Sequence, residues 1–164
     1  MITSKILAEA FHENVEIVKM QAAGLSQVDS LVQLPFRANC FNWVVGHLVY
    51  NRRLVLKLLG DEQTIDRTLI AHYEYDSEPI TGEGEGVLPL EQLMDLLDLA
   101  QEQIVKRLAT ITDDELAHPL RVIGSKERTL GEWLFFFCFH DFYHSGQTEI
   151  LRQAAGKGDK ISYG

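Results

Sequence analysis

The chain has 164 residues, a formal net charge of -9 at pH 7, and a composition that is 46% hydrophobic and 24% charged. This composition is typical of a soluble globular protein, and the length predicts one domain over residues 1–164. The negative charge and the scattered Lys and Arg residues argue against nucleic-acid binding. The apolar runs are too short for a transmembrane helix and charge interrupts residues 1–12, so we expect no membrane span, no secretory signal and a cytoplasmic location.

Four segments repeat apolar residues at the three- and four-residue spacing of a helix, at about 4–23, 39–59, 90–111 and 129–155. Glycines follow the first, second and fourth segments as stop signals. Strand alternation is absent throughout. The pattern predicts an all-α fold, a four-helix bundle.

The connection between the second and third predicted helices is about thirty residues long and rich in Gly and Pro. A connection of this length can travel along the whole bundle, which favours parallel second and third helices and an up, down, down, up order. Apolar residues within it predict a short helix near 65–71. Thr112 and the acids that follow it predict a cap and another short helix.

His140 and His144 are four residues apart in an apolar helical run, so both rings leave one helix face. Trp133, Phe136 and Phe137 on the upstream part of this face indicate that the rings point inward. His47 lies on the apolar stripe of the second predicted helix and is the best candidate for a third ligand. The alternative is that each histidine is a core residue hydrogen-bonded to a carbonyl or carboxylate.

The three histidines predict a site for one divalent metal with an open coordination position. Zinc or nickel is the metal expected at this site, and iron or manganese is the alternative, because imidazole ligands suit all of them. Asp141 stands where a His-Glu-x-x-His metalloprotease has its glutamate, and the Glu-x-x-His pairs of di-iron bundles are missing. His12, His72 and His118 are expected to be ordinary surface or hydrogen-bonded residues, and Cys40 and Cys138 are expected to be reduced thiols in or near the core.

These features resemble the DinB/YfiT-like family of metal-dependent four-helix-bundle proteins. The resemblance rests on the histidine after Trp-Val-Val-Gly, on His140-x-x-x-His144-x-Gly146-Gln147, and on the Leu-Arg and glycine that follow, and it covers nearly the whole chain. It implies an up-down-down-up bundle, a divalent metal on His47, His140 and His144, and a homodimer. Aromatic residues of the first and fourth helices, including Phe11, Trp133 and Phe135, also favour an interface.

Characterised relatives include S-transferases that use low-molecular-weight thiols and a maleylpyruvate isomerase. The resemblance therefore implies transfer of such a thiol to a small electrophilic substrate. A metal-dependent hydrolase and a non-catalytic, stress-related binding protein are the alternatives. The sequence offers Arg52, Arg53 and Arg152 as candidates to seat an anionic thiol, and Tyr143, Gln147 and Asn51 as residues near the pocket.

Overall fold

The structure is a computed structural model that describes residues 2–124 and 126–158, and most of these residues are helical. Within these two ranges, two short helices and one short hairpin accompany four long helices. In chain order the elements are α1 (Ser4–Ala22), α2 (Gln27–Ser30), α3 (Phe41–Leu58), a 3₁₀ turn (Ala71–Tyr73), α4 (Leu90–Leu108), α5 (Asp113–Ala117), β1 (Pro119–Arg121), β2 (Glu127–Thr129) and α6 (Leu130–Ala154).

The four long helices lie where the apolar spacing predicts them. α4 is shorter than predicted because Thr112 caps α5: its hydroxyl accepts from the Glu115 N–H, and the Glu115 carboxylate accepts from the Thr112 N–H. This capping box confirms the short helix predicted after Thr112. Gly24, Gly60 and Gly156 follow long helices with positive φ, the conformation in which glycine commonly ends a helix.

Two local predictions are wrong. β1 and β2 pair antiparallel, with Leu120 opposite Arg128, although no strand was expected. Each strand has three residues, too few to display an alternating pattern. The helix predicted near 65–71 is also absent, since a 3₁₀ turn at Ala71–Tyr73 is the helical element there. The Asp66 carboxylate accepts from the Thr68 N–H, a local bond that competes with helix formation.

The core lies between the four long helices: α3 packs against α4 and α6, and α1 packs against the same two helices. Burying apolar side chains along these contacts is the main stabilising term. No helix within the described ranges has both the length and the apolarity needed to cross a membrane.

A buried arginine joins the four long helices. Arg52 on α3 is 1% exposed, and its Nε lies 2.6 Å from Asp141 Oδ2 on α6. Its remaining nitrogens donate to Gln101 Oε1 on α4 and to the Phe11 carbonyl on α1. Because a buried guanidinium is stable only when its donors are paired, these bonds restrict how the helices can shift relative to one another.

Gly46 leaves room for a residue of the connection after α3 to pack against that helix. A Cβ on Gly46 would lie 2.0 Å from Cδ1 of the buried Tyr73 ring. The ring is held by its hydroxyl, which donates to Asn42 Oδ1 and accepts from the Leu88 N–H. Gly46 is therefore required for packing, whereas a Cβ on Gly146 would meet nothing within 4 Å.

We expect Gly46→Ala to lower the free energy of unfolding by about 1 to 3 kcal/mol. Overpacking typically costs about 1 to 3 kcal/mol and sometimes more, and a contact of 2.0 Å with a buried ring should place the cost near or above the upper end of that range. Alanine's helix propensity returns about 0.5 to 1 kcal/mol of it. Gly146→Ala is the matched control and should be neutral or stabilising. Urea unfolding of both variants checks this, and equal stability of the two would contradict the packing role of Gly46.

Candidate metal centre

The structure brings the three sequence-predicted histidines together. His47 comes from α3, and His140 and His144 come from successive turns of α6. His47 and His144 are buried, and His140 is partly buried. One ring nitrogen from each residue lies within 4.8 Å of the others, a grouping able to hold a metal ion.

The spacing of the two rings on α6 fits a divalent metal. His140 Nε2 and His144 Nε2 are 3.2 Å apart. Two nitrogens in a tetrahedral zinc site, each about 2.0 to 2.1 Å from the ion, are separated by about 3.3 to 3.4 Å. The His47 ring lies next to both, with centroid distances of 5.4 Å to His140 and 4.9 Å to His144. The donor set is three neutral imidazoles, which zinc and nickel both accept.

Two of the histidines are already in the ligand tautomer. His47 Nδ1 lies 2.7 Å from the Tyr73 carbonyl, which can only accept, so the proton is on Nδ1. His144 Nδ1 lies 2.9 Å from Gln147 Oε1 and donates to it in the same way. Both Nε2 atoms therefore keep their lone pairs. This is the tautomer that binds a metal through Nε2, and the hydrogen bond from Nδ1 fixes it.

His140 is in the opposite tautomer because of Asn51. The Asn51 Nδ2 donates to the His47 carbonyl at 2.9 Å, which identifies this atom as the nitrogen of the amide. The same atom lies 3.2 Å from His140 Nδ1, which must then accept. The proton of neutral His140 is left on Nε2, where it can be donated to His144 Nε2 at 3.2 Å. A metal bound through His140 Nε2 would require this proton to leave and Asn51 to release Nδ1.

Burial keeps the three imidazoles uncharged. Desolvation lowers the pKa of His47 and of His140 to about 4, and it also lowers the pKa of His144. For His47 and His140 the neighbouring imidazoles add to this effect, since like charges so close together are unfavourable. His47 and His140 are thus neutral at pH 7, the form that binds metal.

The histidines lie at the wall of a cavity of about 810 Å³. Trp43 also lines it and stacks on His47, with ring centroids 4.6 Å apart. The other lining residues are Leu34, Phe36, Arg37, Ala38, Asn39, Tyr75, Asp76, Ser77, Glu78, Pro79, Tyr143, Gln147, Ile150 and Leu151. A volume of this size is in the range of small-molecule sites.

The arginines that the sequence offers as candidates to seat an anionic thiol are not among the cavity-lining residues. Arg52 is paired with Asp141, Arg53 donates to the Ile65 carbonyl, and Arg152 donates to backbone carbonyls near the end of α1. The arginine that does line the cavity is Arg37, which sequence reasoning missed. It lies in an irregular segment before α3, where no helical periodicity marks it as facing the histidines.

The remaining expectations concern residues near the site and the other histidines and cysteines. Of the three candidates offered near the pocket, Tyr143 and Gln147 line the cavity, whereas Asn51 does not and contacts His140 instead. The other histidines are exposed and the two cysteines are buried and free, also as expected: His12, His72 and His118, and Cys40 and Cys138. Tyr73 and Trp43 were missed as partners of His47.

A family model for the DinB superfamily matches residues 27–148, which include all three histidines. The chain belongs to the DinB superfamily. It is also similar to the crystal structure of a conserved protein from Enterococcus faecalis, with a TM-score of 0.73 and 15% identity over 94% of this chain and 98% of the other. Comparison with curated proteins gives no match. The superfamily and fold are thus established for this chain.

The hydrogen bonds predict a mixed set of tautomers in the metal-free protein. We expect His47 and His144 to carry the proton on Nδ1 and His140 to carry it on Nε2. Long-range proton–nitrogen NMR correlations on chelator-treated protein distinguish the two forms. In Asn51→Ala, the donor to His140 Nδ1 is lost and zinc should bind about 2- to 10-fold more tightly, corresponding to one neutral hydrogen bond.

A His140 proton on Nδ1 in the wild type would contradict the role given to Asn51. So would unchanged or weaker zinc affinity in Asn51→Ala when circular dichroism shows an intact fold. Asn39→Ala is the control, because Asn39 lines the cavity at the segment before α3 and is not a hydrogen-bond partner of the three rings.

Proposed function

We propose that this DinB-superfamily chain is a divalent-metal-dependent S-transferase that transfers a low-molecular-weight thiol to a small electrophile. His47, His140 and His144 would hold one divalent metal. Zinc or nickel is the preferred candidate, and iron or manganese is the alternative. The observation that carries this proposal is the convergence of three neutral imidazoles at the wall of a cavity large enough for a small-molecule substrate.

A bound divalent metal would supply Lewis acidity that lowers the pKa of a thiol and favours the thiolate. In the transfer, the sulfur electron pair forms the new bond to the electrophilic carbon. The leaving group departs with the electron pair of the bond that breaks, and the thiol proton passes to solvent. Gln147 and the Tyr73 carbonyl keep His144 and His47 oriented throughout, because each accepts from Nδ1.

The apolar part of the cavity wall supports an electrophile with an aromatic or aliphatic body. Trp43 lies beside His47, while Phe36, Tyr75 and Ile150 line the cavity and are between 59% and 77% exposed. Their exposure makes the cavity accessible from solvent. Burial of a ligand against such side chains contributes roughly 25 cal/mol for each Å² of apolar surface.

A hydrolase is the second candidate, and one observation favours it. Asp76 and Glu78 line the same cavity as the histidines and could act as a general base toward water. A non-catalytic metal-dependent binding protein would use the same cavity without either reaction. Assays with both thiol acceptors and esters separate the three functions.

We also propose the up, down, down, up order for α1, α3, α4 and α6. Asn42, near the start of α3, donates to the Leu88 carbonyl just before α4, and Arg107, near the end of α4, donates to the Leu59 carbonyl just after α3. These contacts support parallel α3 and α4. On α6, Arg152 donates to the Gln21 carbonyl of α1, which likewise joins two C-terminal ends.

A homodimer through α6 is a further part of the proposal. Phe11 and Trp133, two of the aromatic residues expected to favour an interface, are buried in the core and cannot form one. α6 instead presents an exposed stripe of Phe135, Phe139 and Phe142. Such an apolar face favours pairing with a second copy.

We expect light scattering at micromolar concentration to give twice the chain mass of 18.6 kDa. Phe139→Asp should shift the protein to the monomer, because it places a charge in the centre of the stripe. Val28→Asp, at an equally exposed position outside α6, should leave the dimer intact. A monomeric wild type would reject the dimer.

For the reaction, we expect zinc-loaded protein to consume a low-molecular-weight thiol in the presence of an electrophile. His47→Ala should lose the bound metal, and its reaction rate should fall more than about 100-fold. Loss of a hydrogen-bond partner of a metal ligand costs up to about 100-fold, and loss of the ligand itself should cost at least as much. His12→Ala, which alters an exposed histidine of α1, is the matched control. Elemental analysis and a thiol-consumption assay are the measurements.

Each contrary result rejects a different part of the proposal. Equal metal content in the wild type and His47→Ala would reject the metal site. Metal loss without any thiol consumption by the wild type would reject the transferase. Hydrolysis of esters by the same wild-type sample would then favour the hydrolase, and neither activity would favour the binding protein.

A further inference from the structure

One turn of the connection after α3 holds the His47 ring in two different ways. Residues 73–77 form this turn, here named the wall turn because three of them line the cavity: Tyr75, Asp76 and Ser77. The Tyr73 carbonyl accepts from His47 Nδ1 at 2.7 Å, at the edge of the ring. Ser77 Oγ accepts from the Trp43 indole N–H at 3.0 Å, and Trp43 covers a face of the same ring. The wall turn thus restrains His47 at its edge directly and at its face through Trp43.

The wall turn folds back on itself, which brings both contacts to the same part of α3. The Ser77 N–H donates to the Glu74 carbonyl at 3.1 Å. Asp76 is the third residue of this four-residue turn and has a φ of 62°, a positive value that turns such as type II require at that position. Aspartate tolerates this left-handed conformation. Tyr73 is fully buried, so the turn begins in the core and ends on Trp43.

The hydrogen bond to Ser77 decides where Trp43 lies on the imidazole. The two rings are nearly parallel, with an angle of 11° between their planes and 4.6 Å between their centroids. Stacking alone permits sliding, because aromatic pairs are stable over centroid distances of about 4.5 to 7 Å. A directed N–H bond selects one position. Trp43 also meets the His144 ring edge-on at 6.4 Å, so its position affects two of the three candidate ligands.

We propose that Trp43 is a positioning residue for the metal centre and that Ser77 holds it in place. A ligand ring must be held within about 10 to 20° of its productive direction, and the wall turn supplies that restraint for His47. Coupling between two equilibria is reciprocal, so a bound metal strengthens the attachment of the wall turn by the factor that the attachment strengthens metal binding. This inference rests on the proposed metal site and adds a regulation of it: a ligand that packs on the wall turn tightens the metal site.

The first measurement is zinc affinity, by competition with a chelator. Ser77→Ala removes the acceptor and leaves both rings, and zinc should bind about 2- to 10-fold more weakly, as for one neutral hydrogen bond. Ser77→Thr keeps a hydroxyl and should restore the wild-type affinity. Thr81→Ala is the control, because Thr81 is an exposed residue of the same connection that is not among the cavity-lining residues. It should leave zinc affinity unchanged.

A double substitution shows whether Ser77 acts through Trp43. Trp43→Phe keeps an aromatic ring but lacks the indole N–H, so it should weaken zinc binding at least as much as Ser77→Ala. Adding Ser77→Ala to Trp43→Phe should cause no further loss, because the hydrogen bond is already absent. A general loosening of the cavity wall would instead make the two losses add.

Amide hydrogen exchange measures the reverse effect, from the metal to the wall turn. The Ser77 N–H is released when the turn opens. Saturating zinc should slow its exchange by about the factor that Ser77→Ala costs in zinc affinity, roughly 2- to 10-fold. The Val87 N–H, which donates to the Gly84 carbonyl in another turn of the connection, is the internal control and should not respond.

The outcomes separate this inference from the proposed metal site. A wild type that binds no zinc rejects the site and the inference with it. If zinc binds equally to the wild type and Ser77→Ala, if the double substitution is weaker than Trp43→Phe, or if zinc does not slow the exchange of Ser77, the inference is wrong and the site stands. Circular dichroism checks each fold, and the Ser77 variants, at a partly exposed position, carry the test if Trp43→Phe unfolds.

Discussion

The rest of the structure depends on the buried guanidinium of Arg52. Its bonds to Asp141, Gln101 and the Phe11 carbonyl reach the other three long helices. Losing one partner of such a buried pair costs about 3 to 5 kcal/mol, because the other charge stays buried without compensation. A shift of α6 along α3 would break the bond to Asp141. Since Asp141 follows His140, the same bond fixes where His140 meets α3.

The candidate metal centre is built from polar contacts that hold each ring from outside. Gly46 admits the Tyr73 ring, and the Tyr73 carbonyl then accepts from His47. Gln147 accepts from His144, and Asn51 donates to His140. The contacts with the Tyr73 carbonyl and Gln147 leave the Nε2 lone pairs of His47 and His144 free for a metal. The contact with Asn51 instead places the proton of His140 on Nε2. The affinity for a metal on the three histidines would therefore depend on how readily the Asn51 contact is released.

The sequence predicted the long helices and the three histidines because both depend on spacing along a single helix. His140 and His144 share a face through the four-residue period, and apolar neighbours indicate that this face is buried. Tyr73 contacts His47 and Arg37 lines the cavity, but both lie in segments outside the long helices, whose paths follow no period. Likewise, the pairing of Arg52 with Asp141 joins residues far apart in the chain, so Arg52 resembled an available surface charge.

The central claim is that three imidazoles bind one metal. X-ray absorption at the zinc edge of zinc-loaded protein counts these ligands directly, because imidazole rings give a distinct multiple-scattering pattern. We predict three histidine nitrogens at about 2.0 to 2.1 Å from zinc in the wild type, with an oxygen ligand from water completing the coordination. Fewer than three imidazoles, or a sulfur ligand at about 2.3 Å in protein free of added thiol, would contradict the account.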